Sequence, residues 1–162
     1  MFHLAGLTKA LTVAEMMRVN GEGTWNVARS CAAQAHPPVL VACSSLAAAG
    51  PTPANTIRTE ADALMPISDY GRSKRAGEVA AAAWADRVPT TVIRPGVVFG
   101  EWDRLMFPMF HAIWTTRIHV VPTFAPPPLS LIHVHDLVSF FLAAADRGPR
   151  ITSASDRLPP GR

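Results

Sequence analysis

Tyr70-Gly71-Arg72-Ser73-Lys74 carries the plainest chemistry in this chain of 162 residues. Residues four apart on a helix lie one turn above each other, so the Tyr70 phenol and the Lys74 ammonium share a face. A phenol titrates near 10, too high for ready proton transfer at neutral pH, and a fixed cation nearby lowers that value by stabilising the anion. Alone, the pair reads equally well as a chance coincidence on a solvated helix. Three other polar groups change its standing through where they fall. Ser44-Ser45 end one apolar run, Arg94-Pro95-Gly96 end another, and Asn20 sits inside a periodic segment.

The elements that must position these residues follow from the spacing of apolar side chains. Between Val13 and Ala35 they recur with helical period, weakened by Gly21 and Gly23. Val39-Leu40-Val41-Ala42-Cys43 and Val88 to Ile93 are unbroken apolar runs, the pattern of parallel strands covered on both faces. Phe2 to Gly6 reads as the end of a short buried strand opening into a turn. Gly50 to Pro66 is a loop, and Ser68 or Asp69 caps a helix that carries Tyr70 and Lys74 to about Trp84. Strand and helix alternate, which predicts an α/β fold with a parallel sheet and right-handed crossovers. Ligands of such sheets bind at the carboxyl ends of the strands, where Ser44, Ser45 and Arg94 fall. Further on, helices are expected from Leu105 to Thr115 and from Val134 to Ala145. Short extended pieces are expected at His119–Val121 and Ser130–His133, separated by Pro126-Pro127-Pro128. The chain then divides into one domain over 1–146 and a flexible polar tail over 147–162.

Composition narrows the function classes. Hydrophobic residues make up 49% and charged residues 17%, which fits a globular domain with a real core. The net charge of +3 is spread over single Lys and Arg residues, with no basic and aromatic cluster of the kind that binds nucleic acid. Cys31 and Cys43 make neither a disulfide framework nor a metal motif, and their apolar neighbours suggest inert thiols of a cytoplasmic protein. His133 and His135 flank Val134 and are expected to diverge, so no metal is expected there. Leu129 to Ala145 is too short and too polar to span a membrane, and Met1 to Gly6, running straight into Lys9 without a basic leader, is not expected to be a secretory signal. Gly21-Glu22-Gly23 is rejected as a phosphate loop because it lies inside a helix.

In their order, Asn20, Ser44-Ser45, Tyr70 with Lys74, and Arg94-Pro95-Gly96-Val97-Val98-Phe99-Gly100 resemble the extended short-chain dehydrogenase/reductase family, of the NAD-dependent epimerase/dehydratase type. The group includes hydroxysteroid and flavonol-type reductases, and the resemblance covers Phe2 to about Ala145. It implies a Rossmann-like sheet and NAD or NADP as cofactor. Implied catalytic residues are Ser45, which holds a substrate carbonyl or hydroxyl, Tyr70, which moves the proton, Lys74, which binds the nicotinamide ribose and lowers the Tyr70 pKa, and Asn20, which keeps the hydrogen-bond network in register. Implied cofactor contacts are Ala5, Gly6, Ser44, Tyr70, Lys74, Arg94, Pro95 and Val97. His133-Val134-His135-Asp136-Leu137 resembles the late segment that closes on the Arg94 loop.

The resemblance is incomplete. The family's fold begins with a strand and a Gly-x-x-Gly-x-x-Gly turn on a helix N-terminus, whose backbone N–H groups hold the pyrophosphate, and this sequence has neither. The fold expected is therefore an incomplete Rossmann-like sheet lacking its N-terminal strands, with an apolar edge open to pairing or homo-oligomer formation. The function expected is that of an oxidoreductase or epimerase acting on a hydroxyl or carbonyl of a small molecule, such as a sugar nucleotide, sterol or flavonol. The alternative is a non-catalytic remnant or interaction module of the same fold.

Overall fold

Three short parallel strands form the centre: β1 (Phe2–His3), β2 (Leu40–Cys43) and β3 (Thr90–Ile93), in the spatial order β1-β2-β3. This computed structural model describes residues 1–52, 56–119 and 129–151. β1 pairs with β2 so that Phe2 lies beside Val41, and β2 pairs with β3 so that Cys43 lies beside Ile93. Leu40 and Val41 are fully covered, as expected of a strand with helices against it. The Asn20 region is one continuous helical run of three parts: α1 (Val13–Met17), a π-helical turn over Arg18–Glu22, and α2 (Gly23–Ala32). The two glycines therefore do not end the helix but let it widen, a distortion that recurs at functional sites.

Two helices follow β2. Ser45 caps α3 (Leu46–Ala49) by accepting from Ala47 N–H, and Ser68 caps α4 (Asp69–Ala82) by accepting from Gly71 N–H. α4 carries Tyr70 and Lys74 and packs with α2 on the sheet around Ala28, Cys31, Ala32, Leu40, Ala81 and Val88. Close approach depends on two α4 glycines. A Cβ on Gly71 would lie 2.3 Å from the Ala47 carbonyl oxygen, and one on Gly77 would lie 2.6 Å from that of Asn20.

The second half is built differently. Val97–Phe99 (β4) and Leu131–His133 (β5) form a separate two-stranded parallel sheet, with Phe99 beside His133. The run Val97-Val98-Phe99 is thus a strand as well as part of the loop expected beside the cofactor. α5 (Phe107–Thr116) buries none of its residues, and α6 (Val134–Arg147) buries only Phe141. Val134 opens α6 after an extended His133, and the His133 and His135 rings lie side by side with centroids 5.1 Å apart; the expectation that they diverge is corrected, since residues two apart along an extended chain share a face. Gly148 to Ile151, expected to be loose, are held. Ile151 N–H donates to Thr90 O at 2.8 Å. Arg150 donates to Thr91 Oγ1 at 2.6 Å and to Ala145 O at 2.7 Å. Val120, Val121, the prolines at 126–128 and the rest of the tail fall outside the described residues. Among the described residues, no helix is long and apolar enough to cross a membrane.

Candidate functional site

A cavity of about 660 Å³ opens at the carboxyl ends of the central strands. Its walls include Gly6, Ser44, Ser45, Tyr70, Lys74, Pro95 and Val97, supplied by four chain segments far apart in sequence. The first turn of α4 faces the end of β2, so the Tyr70 phenol and the Ser45 side chain line the same cavity, with Ser45 near enough to act on the phenol's pKa. Lys74 Nζ donates to the Cys43 carbonyl at 2.6 Å, which ties the ammonium to the last residue of β2.

Burial is the main influence on Tyr70 and pushes its pKa above 10; the nearby Ser45 side chain pulls the other way, and the Cys43 sulfur adds to the rise. The expected lowering by Lys74 is not what this geometry produces. Lys74 is turned to the Cys43 carbonyl, and its charge is felt by His3 and Cys43. Burial also lowers the Lys74 pKa, partly offset by Cys43 and Glu78. In this state Tyr70 holds its proton at neutral pH.

Asn20 does not reach the cavity; it braces what does. Its side chain is 2% exposed as a residue. Nδ2 donates to Leu7 O at 2.9 Å and Ser73 Oγ at 2.8 Å, while Oδ1 accepts from Leu7 N–H at 2.8 Å. Ser73 Oγ donates in turn to Tyr70 O at 2.8 Å. One amide therefore joins the wall at Leu7 to the helix turn of Tyr70.

Two expected cofactor contacts serve another purpose. Ser44 Oγ donates to Glu78 Oε1 at 2.5 Å. Arg94 grips the same carboxylate twice, Nε to Oε1 at 2.7 Å and Nη2 to Oε2 at 2.9 Å, and Arg75 approaches Oε2 at 3.4 Å. Glu78 is 1% exposed at its side chain, so this fork holds the ends of β2 and β3 against α4 and spends both side chains on that task. Arg94 is not a cavity residue, and Ala5 is exposed outside the lining, whereas Gly6, Pro95 and Val97 line it. A Cβ on Gly6 would lie 2.9 Å from Asn20 Oδ1, so glycine there leaves the Asn20 amide room to reach Leu7.

Glu78 and Ser73 are the site residues that motif reasoning missed. Glu78 left a trace in the sequence: it stands four residues after Lys74 and eight after Tyr70, a lone carboxylate on a helix face that must pack. Nothing in the sequence marks the Cys43 carbonyl, since any residue type supplies one.

The geometry agrees with what comparison finds. The chain matches the model of the NAD dependent epimerase/dehydratase family over residues 2–154. It is 32% identical over 142 residues to the ceramide reductase of Caulobacter vibrioides, covering 87% of this chain and 38% of the reductase. MoeE5, solved with UDP-glucuronic acid and NAD, superposes with a TM-score of 0.78 at 26% identity, over 90% of this chain and 52% of MoeE5. The dTDP-glucose 4,6-dehydratase of Bacillus anthracis, solved with NAD, shares the fold with a TM-score of 0.77 at 18% identity, over 93% of this chain and 48% of the dehydratase. The chain thus spans about half the length of these solved structures. With nearly all of its length matched, this chain belongs to the NAD-dependent epimerase/dehydratase family.

Proposed function

We propose that this chain carries the proton-transfer half of an NAD-dependent oxidoreductase or epimerase site acting on a hydroxyl or carbonyl group. The observation that carries this reading is the meeting of Tyr70, Ser45 and Lys74 in the lining of one cavity, with the serine near enough to act on the tyrosine's pKa. The residues suit the nicotinamide end of the cofactor: Gly6 and Lys74 line the cavity side by side, and the Lys74 ammonium would hold ribose hydroxyls. NAD, when bound, supplies a carbon that accepts or gives the hydride.

The chain's own residues handle oxygen and proton. Interconverting a secondary alcohol and a ketone moves a hydride at carbon and a proton at oxygen. Ser45 Oγ hydrogen-bonds the substrate oxygen and aims it at Tyr70. In the reducing direction Tyr70 Oη gives its proton to that oxygen, which is the direction the raised pKa prepares. In the oxidising direction Tyr70 must first be anionic, which requires the Lys74 ammonium to swing from the Cys43 carbonyl towards it. The relatives' printed ligands and names give nucleotide sugars and ceramide as candidate substrate classes; Lys9 on the wall suits a phosphate, and the mostly apolar remainder suits a hydrophobic group.

The test is a calorimetric titration of the purified chain with NAD and NADH, followed by turnover on candidate nucleotide sugars. Binding near micromolar supports a self-sufficient cofactor site. No binding up to millimolar overturns it and leaves the non-catalytic interaction module. Where turnover is found, Tyr70→Phe is expected to lower kcat by about 10²-fold or more, and an unchanged kcat removes Tyr70 from the proton path.

A further inference from the structure

A second constellation lies apart from the cavity, at the carboxyl end of the two-stranded sheet. The β4–β5 register sets Phe99 beside His133. Two residues beyond each stand Glu101 and His135, so parallel pairing and two short turns bring three ligand-type side chains together. His133 Nε2 and His135 Nε2 each lie 3.6 Å from the same atom, Glu101 Oε2. One donor atom from each of the three residues falls within 4.8 Å of the others.

These separations are longer than a direct hydrogen bond, which would close to about 3 Å. They are close to the edge of a tetrahedral zinc site, about 3.3 Å for donor atoms bonded at about 2.0–2.1 Å. A second observation bears on the same space. Gly100 has φ +134, and a Cβ there would lie 2.9 Å from His133 Nε2 and 2.8 Å from Val134 Cγ1. The residue between strand and carboxylate is thus one that leaves the His133 ring room at its donor nitrogen. Phe99 packs edge-on against that ring with centroids 5.3 Å apart, which fixes its plane.

We propose that Glu101, His133 and His135 form a site for a divalent first-row transition metal, with zinc as its natural probe and a fourth position open to water or an exogenous ligand. Two imidazoles and one carboxylate are the donor set that borderline ions prefer over calcium or magnesium. Two features lower the affinity without removing the site. The N-terminus of α6 opposes a cation by a few-fold, an effect that Asp136 in its first turn counters. His133 Nδ1 accepts from His135 N–H at 3.3 Å, so a metal on Nε2 moves the ring proton to Nδ1 and gives up that long contact.

The experiment is a zinc titration of the tag-free, full chain by calorimetry, alongside His135→Ala, Glu101→Gln and the double variant. Both side chains are more than half exposed, so the variants are expected to fold, and far-UV circular dichroism checks that they do. One equivalent of zinc on the order of 1 μM is expected. Each single variant weakens it at least tenfold, since even supporting residues around a metal are worth that much, and the double variant abolishes it. No stoichiometric binding by the parent chain overturns the site. So does unchanged binding in a folded double variant, which assigns the metal to the cysteines or the remaining histidines.

Discussion

The two halves of the molecule treat their side chains in opposite ways. Around β1, β2, β3 and α4, buried polar side chains are answered in networks, Asn20 by Leu7 and Ser73, Glu78 by Ser44 and Arg94, His3 by Thr24, with the Trp84 indole N–H an exception. Around β4, β5, α5 and α6, apolar groups are exposed, among them Phe107, Phe110, Trp114, Val138, Phe140 and Leu142. A buried polar network tolerates few geometries because each unpaired member costs its desolvation. Precision at Tyr70, Ser45 and Lys74 therefore comes from the first half, and the second contributes walls through Val97, Val98 and Leu105. Proton transfer belongs where atoms are held to a fraction of an ångström.

The comparison breaks most visibly at Glu78. Glu78→Ala leaves Arg94 and Arg75 beside each other with their shared carboxylate gone and unties both strand ends from α4. Removing one partner of a buried pair costs about 3–5 kcal/mol, and chemical denaturation is expected to show a loss of that size. A loss below about 1 kcal/mol shows that the fork is no more than a surface pair and that the first half owes its order to packing. Asn20→Ala comes next. It strands the Leu7 N–H and carbonyl and the Ser73 hydroxyl, and a loss of about 1–3 kcal/mol is expected. Because the same amide joins Leu7 to the Tyr70 turn, any kcat should fall with it while the fold survives, which separates positioning from stability.

How much of this was legible beforehand follows the same division. Strands β2 and β3 announce themselves as unbroken apolar runs, and the α4 helix by its cap at Ser68 and the spacing of Tyr70 and Lys74. Their covered faces leave local pattern and tertiary demand in agreement. The site residues Ser45, Tyr70 and Lys74 could be named because each side chain type has a chemical meaning at its spacing. Arg94 misled, since a guanidinium at a strand end suits an anionic ligand as well as a buried carboxylate, and only the fold shows Glu78 sixteen residues away reaching it first. The π-helical turn at Asn20 was invisible, because two glycines in a helix signal weakness and not its direction. His133 and His135 diverge in no extended reading, because residues two apart along an extended chain share a face, and the structure sets their rings together.

Smaller effects sharpen the contrast through pH and surface. His3 is buried against Thr24 Oγ1 at 3.0 Å, and burial, then the charge of Lys74, lower its pKa below 6.5. A lowered histidine is neutral in the folded chain while the unfolded chain still binds a proton. Its contribution is complete above pH 6.5 and is lost as pH falls through the folded value, with a slope of at most about 1.4 kcal/mol per pH unit. Denaturation midpoints between pH 7.5 and 5 should follow that sign, and His3→Gln should flatten the dependence. A dependence that survives the substitution unchanged moves its origin to another group.

The smallest effect is expected in the second half. Leu142 is 60% exposed on α6, one residue after the buried Phe141. Glutamine matches leucine closely in helix propensity, so Leu142→Gln should alter the denaturation free energy of this chain by no more than about 0.5 kcal/mol. Solubility should rise, because the substitution interrupts an apolar surface shared with Val138. A loss well above 1 kcal/mol would mean that Leu142 is covered in solution, by a second copy of the chain or by another surface. Repeating the denaturation at tenfold dilution distinguishes these, since stability that depends on chain concentration reports self-association and stability that does not reports a contact within the chain.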